Sequence, residues 1–336
     1  MALPELTALP FATLPPPPYR PRAARWLTFA GISLIVGSFV FPAIAIVALG
    51  IDEELKSDDL SLAMTFLFGA GMVAVFAVFL VGVAVTAHGR QLRALPAAEL
   101  LRRDRRTPLL FLRSFDDDDL IDPTPRMMPM GDNFPRRYEE SLANALRAVG
   151  PMLTIGRPGE RTPLLGAGRL FVPNDAWQAA VAYLRTHTRA VILMVGRSPG
   201  IWWEITSCLE SVPISRLLFF FPYVEDPGKR RSFLQRFVAY RPANIPLIRA
   251  PYGRMEQERQ ARYQLFCERV APLVSQPLPA SLEGALFLDF LDDGTPRALK
   301  VVRPWWWPIA LVTPSMRLML ADHTRTLRPF VDKLNA

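Results

Sequence analysis

A glutamate next to aromatic residues is the side chain in this sequence best placed to do chemistry. Glu204 follows Trp202 and Trp203 directly, near the start of a helix-like segment. A carboxylate beside aromatic walls can stabilise a developing cation or act as a general base. An acidic residue in the first turn of a helix can also do no more than complement the helix dipole. The residues alone leave both interpretations open.

Three short polar segments, each following an apolar run, carry residue types that bind phosphate or carboxylate groups. An arginine guanidinium offers either group two parallel hydrogen bonds, and a glycine lets a ligand approach the backbone closely. Taken singly, each segment is also explained as a turn or a solvated loop. The candidate ligand-binding residues in and beside these segments are Arg113, Asp116, Gly156, Arg157, Arg197 and Ser198.

Metal and histidine-based chemistry are not predicted. The aspartates at 116–119 are consecutive, so their carboxylates point in different directions and lack the spacing of a calcium loop. We interpret this run as a solvated loop. His88, His187 and His323 are too scattered for a zinc site or a catalytic triad. Neither a dinucleotide fingerprint nor a phosphate-loop motif occurs, and no cofactor is predicted.

Short apolar runs alternate with helix-period segments from Thr107 onward, which predicts strands joined by crossover helices. The near-continuous apolar strands indicate a parallel sheet covered on both faces. We therefore expect a Rossmann-like or flavodoxin-like α/β domain over 107–250, with the polar segments at the carboxyl ends of its strands. The predicted strands are 108–115, 151–156, 189–196 and 215–224, and the predicted helices are 136–150, 174–187, 201–211 and 229–240.

Two uncharged apolar stretches precede this domain, Trp26–Ile51 and Leu60–Ala87. Each exceeds the ~20 residues that a helix needs to cross a bilayer, and the first is too long for a secretory signal. They predict a transmembrane helical hairpin over 26–87. Arginines flank the pair and the connecting turn is acidic, so both termini should be cytoplasmic. The sequence thus predicts a multi-pass protein of the cell (inner) membrane, with the lipid bilayer as a partner.

The rest of the chain falls into three segments. Residues 1–25 predict a Pro-rich disordered cytoplasmic lead, and 88–106 a basic juxtamembrane neck that suits anionic headgroups. Residues 251–336 predict an extension with a β-hairpin turning at Asp293-Gly294; its cluster Trp305–Trp307 suits a membrane interface or the domain's own surface. The net charge of +8 is largely juxtamembrane, and no basic stripe interleaved with aromatics predicts nucleic-acid binding.

The order of these segments resembles a TIR (Toll/interleukin receptor) domain. FLRSFDDDD (111–119) is similar to the box that ends the first strand of that family, and VILMVGRSPGIWWEI (191–205) is similar to its third strand and the glutamate-bearing helix. The resemblance implies a flavodoxin-like fold and cleavage of the nicotinamide–ribose bond of NAD, which would be a substrate rather than a cofactor. It gives the catalytic role to Glu204 and substrate contacts to Ser114, Phe115 and Trp202. The chain also resembles bacterial two-helix membrane proteins of uncharacterised type.

Two functions remain as alternatives. The first is a membrane-anchored effector that hydrolyses NAD when clustering aligns neighbouring domains. The second is a signalling or binding module of the same fold that recognises a nucleotide or a protein without reaction. Homo-oligomers could form through the α/β domain or through the hairpin. A channel is not favoured because the helices carry no internal charge. A Glu204 that faces a cleft shared with the loop after the first strand favours the enzyme; one that caps its helix favours the module.

Overall fold

The computed structural model describes residues 9–16, 19–49, 58–114, 138–156, 165–222, 246–282, 284–302 and 322–336. Its described part forms two compact units, a helical unit within residues 19–93 and an α/β unit that includes 9–16 and runs from Ala94 to the last residue.

The helical unit is an antiparallel pair, α1 Pro21–Leu49 and α2 Asp58–Gln91. The helices meet through small residues: a Cβ atom added at Gly82 would lie 2.8 Å from the carbonyl oxygen of Gly31. Thr86 is buried in the same contact, where its hydroxyl donates to the carbonyl of Gly82 at 2.8 Å. Close backbone approach through glycine and threonine is typical of helix pairs in membranes.

Part of the membrane prediction is supported. Among the described residues, Pro21–Val40 is the stretch long and apolar enough to cross a bilayer, with a mean hydropathy of 1.5. The apolar stretch of α2, Val73–Thr86, is shorter than that. One such helix near the N-terminus fits a single membrane anchor or a signal sequence. The multi-pass topology is not shown.

The α/β unit is built on a seven-stranded sheet with the order β3-β2-β1-β4-β5-β6-β7. Pairing is parallel from β3 to β5 and antiparallel for β5–β6 and β6–β7. The strands are β1 Leu109–Leu112, β2 Met152–Gly156, β3 Gly168–Phe171, β4 Val191–Met194, β5 Leu217–Phe220, β6 Ala285–Phe290 and β7 Pro296–Lys300. The helices are α3 Ala97–Arg103, α4 Tyr138–Ala145, α5 Trp177–His187, α6 Pro199–Ser211, α7 Pro246–Val270, α8 His323–Thr326 and α9 Arg328–Asn335.

The predicted α/β class with a mostly parallel sheet is confirmed, but one strand was missed. Strand β3 occupies the edge beside β2, and its sequence GRLF contains a glycine and an arginine that break the apolar pattern. The sheet is also mixed, because β6 and β7 of the C-terminal segment extend it in the antiparallel sense. These two strands turn through Gly294, whose φ of 81° is readily adopted only by glycine. The predicted helix 229–240 lies outside the described residues.

Both faces of the sheet are buried, as the continuous apolar strands require. Strands β1, β2, β4 and β5 are buried along their whole length. One face packs against α5, α6 and α7, where Phe219 contacts Phe266 at a ring distance of 4.8 Å. The other face packs against α4, α8 and α9 through residues such as Leu142 and Phe330. The helices on both faces hold the ends of the strands in place, and the candidate functional site lies at those ends.

Residues 9–16, part of the segment predicted to be a disordered lead, lie against the α/β unit. The amide of Leu14 donates to the carbonyl of Phe171 at 2.7 Å, at the end of edge strand β3. Phe11 packs edge-on against Tyr183 of α5 at a ring distance of 5.9 Å. Contacts of this kind cover an edge strand that would otherwise be open to pairing.

Candidate functional site

The sheet has a topological switch point between β1 and β4. From β1 the chain continues through α4 to β2 on one side, and from β3 it returns through α5 to β4 on the other side. The two connections leave in opposite directions, which opens a crevice at the carboxyl ends of β1 and β4, where ligands bind in open α/β sheets. Arg113 and Ser114 follow β1 there, and Arg197 and Ser198 follow β4.

Helix α6 begins two residues earlier than predicted, which changes the position of Glu204. Ser198 is the N-cap, and its hydroxyl accepts from the amide of Ile201 at 3.5 Å. Pro199 is the first helical residue, so Glu204 lies in the second turn rather than the first. Stabilisation of the helix dipole is confined to the first turn. Glu204 therefore neither caps the helix nor complements its dipole.

Glu204 lies on the face of α6 that packs on the sheet, together with Ile201, Ile205 and Cys208. It is 8% exposed, and its Oε2 atom has no hydrogen-bond partner in the part of the chain that the structure describes. Burial raises the pKa of its carboxyl to about 8, against the opposing influence of the Arg113 charge. At neutral pH this carboxyl is mostly protonated. A buried, unpaired carboxyl of this kind is a frequent mark of a functional site.

Arg113 connects Glu204 to a buried ion pair that the sequence did not reveal. Glu139 of α4 accepts from both terminal nitrogens of Arg169 in β3, at 2.7 and 3.0 Å, and from the amide of Ala167 at 3.2 Å. The Nε atom of Arg113 lies 3.7 Å from Oε2 of the same carboxylate. The arginine thus interacts with the carboxyls of two helices on opposite faces of the sheet.

The sequence held little signal for this pair. Glu139 opens an amphipathic helix, where an acidic residue reads as a solvent-facing group, and Arg169 lies in the strand that was missed. They are far apart in the chain, and only the pairing of β2 with β3 brings the arginine to α4. An arginine within a short apolar run bounded by glycine and proline, as in GRLFVP, is the one local hint of a buried charge.

Two more predicted site residues contribute unpaired polar atoms. The hydroxyl of Ser114 and the indole nitrogen of Trp202 are buried and have no hydrogen-bond partner among the described residues. The ring of Trp202 is part of the core, and the guanidinium of Arg269 from α7 stacks over it at 4.6 Å from the ring centroid. Together with Glu204, these atoms are donors or acceptors that a bound ligand could satisfy.

Helix α7 adds charged residues to the β4 end of the crevice. Glu258 accepts from Arg197 at 2.7 Å and from Arg262 at 3.0 Å, and Arg262 also donates to the carbonyl of Val195 at 3.4 Å. Arg262 is buried, whereas half of the Arg197 side chain is exposed. Arg197 is therefore an accessible cation at this end, and among the described residues it is held by the carboxylate of Glu258. The sequence did not predict α7, although Tyr263, Phe266 and Val270 have helical spacing.

The remaining predicted residues divide into two groups. Gly156 ends β2, beside β1, and a Cβ atom there would lie 2.6 Å from the Phe171 ring. The glycine thus permits β2 and β3 to pack closely, a role that stands whether or not a ligand approaches it. Phe115, Asp116 and Arg157 lie outside the described residues. Within the described part of the chain, no group of His, Cys, Asp or Glu side chains is arranged to hold a metal ion.

The chain is a mixed α/β protein whose site, as described, is a switch-point crevice with a buried carboxyl and several arginines. No protein-family model, curated protein or solved structure matches it.

Proposed function

We propose that the α/β unit binds NAD at the β1–β4 crevice and hydrolyses its nicotinamide–ribose bond, with Glu204 as the catalytic residue. The observation that supports this proposal is the buried carboxyl of Glu204, whose Oε2 has no partner and which interacts electrostatically with Arg113 after β1. Leaving a buried acceptor unsatisfied costs ~1–3 kcal/mol. A cost of this size is typical of a group kept for binding or catalysis.

The chemistry suits a carboxyl that changes its protonation state on binding. The nicotinamide ring of NAD is cationic, and a nearby positive charge favours the ionised form of Glu204. When the bond between ribose C1′ and the ring nitrogen breaks, the electron pair goes to the ring and neutral nicotinamide leaves. A carboxylate stabilises the positive charge that develops on the ribose. Water then bonds to C1′ and loses a proton, which gives ADP-ribose.

The arginines give the crevice a capacity for the diphosphate of the substrate. Arg197 is half exposed and held by Glu258, so a phosphate can compete for its guanidinium. The sheet order supports the TIR resemblance: without edge strand β3, the order β2-β1-β4-β5 agrees with that of flavodoxin-like sheets. These features motivate the TIR-like assignment as part of the same proposal.

We also propose that α1 and α2 form a transmembrane hairpin with both termini in the cytoplasm. Large apolar side chains point away from the helix pair, including Trp26, Phe29 and Val73, which are 73%, 66% and 70% exposed. Small residues such as Gly31 and Gly82 form the contact between the helices. Apolar surface outside and small residues inside suit a lipid environment. Reporter fusions placed in the acidic turn 52–59 and at the C-terminus test this topology. The proposal requires the two reporters to lie on opposite sides of the membrane.

A binding module that performs no reaction is the second candidate, and the burial and protonation state of Glu204 favour it. With 8% exposure and a pKa of about 8, the carboxyl of Glu204 is mostly neutral and poorly accessible. A neutral carboxyl can donate a hydrogen bond to a ligand but cannot stabilise a cation. In this case the crevice recognises a nucleotide, and the hairpin reports its occupancy by homo-oligomerisation.

Nicotinamide release from NAD separates the two candidates. The full chain is reconstituted into vesicles at low and high density, because clustering could be needed. We expect release at high density, and a loss of at least about 100-fold in Glu204→Gln. Glu210→Gln is the matched control, since Glu210 lies on the exposed face of the same helix. If nicotinamide is released at neither density but NAD binds saturably, the binding module is the candidate that remains.

A further inference from the structure

A second cavity lies at the opposite end of the sheet from the crevice. It is open to solvent, has a volume of about 520 Å³ and is lined by residues that precede β1, β4 and β5, by the turn after β6 and by α9. Its size is within the range of small-molecule sites. The polar groups that matter are Thr188, Arg189, Ser215, Arg216, Asp292 and Lys333.

The two arginines give this cavity positive charge that no carboxylate neutralises within the described residues. Arg216 donates through Nε to the carbonyl of Arg189 at 2.7 Å and through Nη2 to the carbonyl of Thr188. Arg189 donates to the carbonyls of Val149 at 3.3 Å and Leu334 at 2.5 Å. Backbone carbonyls fix both guanidiniums in place but carry no net charge. Burial lowers the pKa of Arg216, as expected for a cation without a paired anion.

The other charges of the lining do not cancel this excess. The ammonium of Lys333 is held by Asp289 at 3.1 Å and by the carbonyl of Phe290 at 2.6 Å. Asp292 is the one carboxylate of the lining, and it is exposed. The net charge facing the cavity therefore remains positive.

Thr188 provides an independent sign of a ligand. It is 1% exposed, it lines the cavity, and its Oγ1 atom has no hydrogen-bond partner within the described ranges. A buried hydroxyl without a partner costs free energy that a ligand could recover. Ser215, which precedes Arg216, offers a second hydroxyl to the same space.

We infer that this cavity binds a phosphate group of a small molecule, with Arg189 and Arg216 supplying the charge and Thr188 a hydrogen-bond donor. Two guanidiniums and two hydroxyls match the several acceptor oxygens of a phosphate better than the two oxygens of a carboxylate. The volume exceeds that of a single phosphate, so the group would belong to a larger compound. The site lies at the amino ends of the parallel strands and is separate from the crevice proposed for NAD.

Calorimetry on the full chain in detergent micelles tests the inference, with inorganic pyrophosphate and soluble dihexanoyl phosphatidic acid as probes. Tighter binding of pyrophosphate assigns a free phosphate compound, and tighter binding of the lipid assigns a headgroup. Thr188→Val should weaken binding of the preferred probe by about tenfold and Arg216→Gln by about 10–100-fold. Arg328→Gln, an exposed arginine on α9, should bind like the parent chain.

Thr188→Val keeps the test independent of folding. The hydroxyl has no hydrogen-bond partner among the described residues, so valine should leave the unfolding temperature without probe unchanged or raise it. Weaker binding with an intact fold supports the site. Absence of saturable binding of both probes overturns the inference, as does equal affinity in the threonine, Arg216 and Arg328 variants.

Discussion

The charge of Arg113 acts on the carboxyl of Glu204, yet the Oε2 atom of this carboxyl accepts no hydrogen bond from the described residues. Arg113 is instead placed 3.7 Å from Glu139, which already holds Arg169. The arginine therefore divides its charge between two carboxyls, and the attraction toward Glu204 is too weak to offset the cost of burial. A neutral carboxyl beside a buried guanidinium is the result.

Stability should fall with rising pH because of Glu204. The folded pKa is about 8 and the ordinary value is 4.5, so between these values the folded state binds more protons than the unfolded state. The contribution of Glu204 to the free energy of unfolding is fully present below about pH 4.5 and is lost as the pH rises through 8. Glu204→Gln should remove this loss, which amounts to up to roughly 5 kcal/mol. Urea unfolding of parent and variant from pH 5 to 9 measures it; parallel curves would contradict the raised pKa.

Removing the charge of Glu139 should be strongly destabilising. Glu139→Gln removes the carboxylate that accepts hydrogen bonds from both terminal nitrogens of buried Arg169, which costs about 3–5 kcal/mol. Replacing the pair by apolar residues, Glu139→Leu with Arg169→Met, should recover part of that free energy of unfolding, because it removes the buried charge of β3 but leaves the buried Arg113 without the Glu139 carboxylate. Urea unfolding at pH 7 compares the two. A double variant as unstable as the single one would show that the pair is needed for packing rather than for charge balance.

The sequence was sufficient to predict the strands and helices that depend on local pattern. It was not sufficient to predict buried contacts between residues that are distant in the chain. Strands β1, β4 and β5 are apolar throughout, and the helix at Glu204 follows from its spacing. Strand β3 was missed because Arg169 is compatible with a strand core only when Glu139 covers it. The burial of arginines in α7 could not be predicted for the same reason. Arg262 is buried because the carbonyl of Val195 and the carboxylate of Glu258 accept its hydrogen bonds.

A side chain at Gly82 should separate α1 from α2. Gly82→Leu would place Cβ 2.8 Å from the carbonyl oxygen of Gly31, a backbone atom that cannot move without shifting α1. We expect a loss of about 1–3 kcal/mol in the stability of the helix pair. Gly37→Leu is the matched control, because a Cβ there meets no atom within 4 Å. Protease resistance of the reconstituted chain reports the change; equal resistance in both variants would argue against this contact.

The two cysteines should differ in reactivity toward a thiol reagent. Burial raises the pKa of Cys208 to about 12, and the residue is fully buried on the same face of α6 as Glu204. Cys267 on α7 is half-buried, and burial also raises its pKa. Because the thiolate is the reactive form, iodoacetamide at pH 8 should modify Cys267 slowly and leave Cys208 unmodified until urea unfolds the domain. Mass spectrometry of the digested chain counts the adducts at each site. Rapid labelling of Cys208 in the native chain would mean that the α6 face opens to solvent, and the buried state of Glu204 would then have to be revised with it.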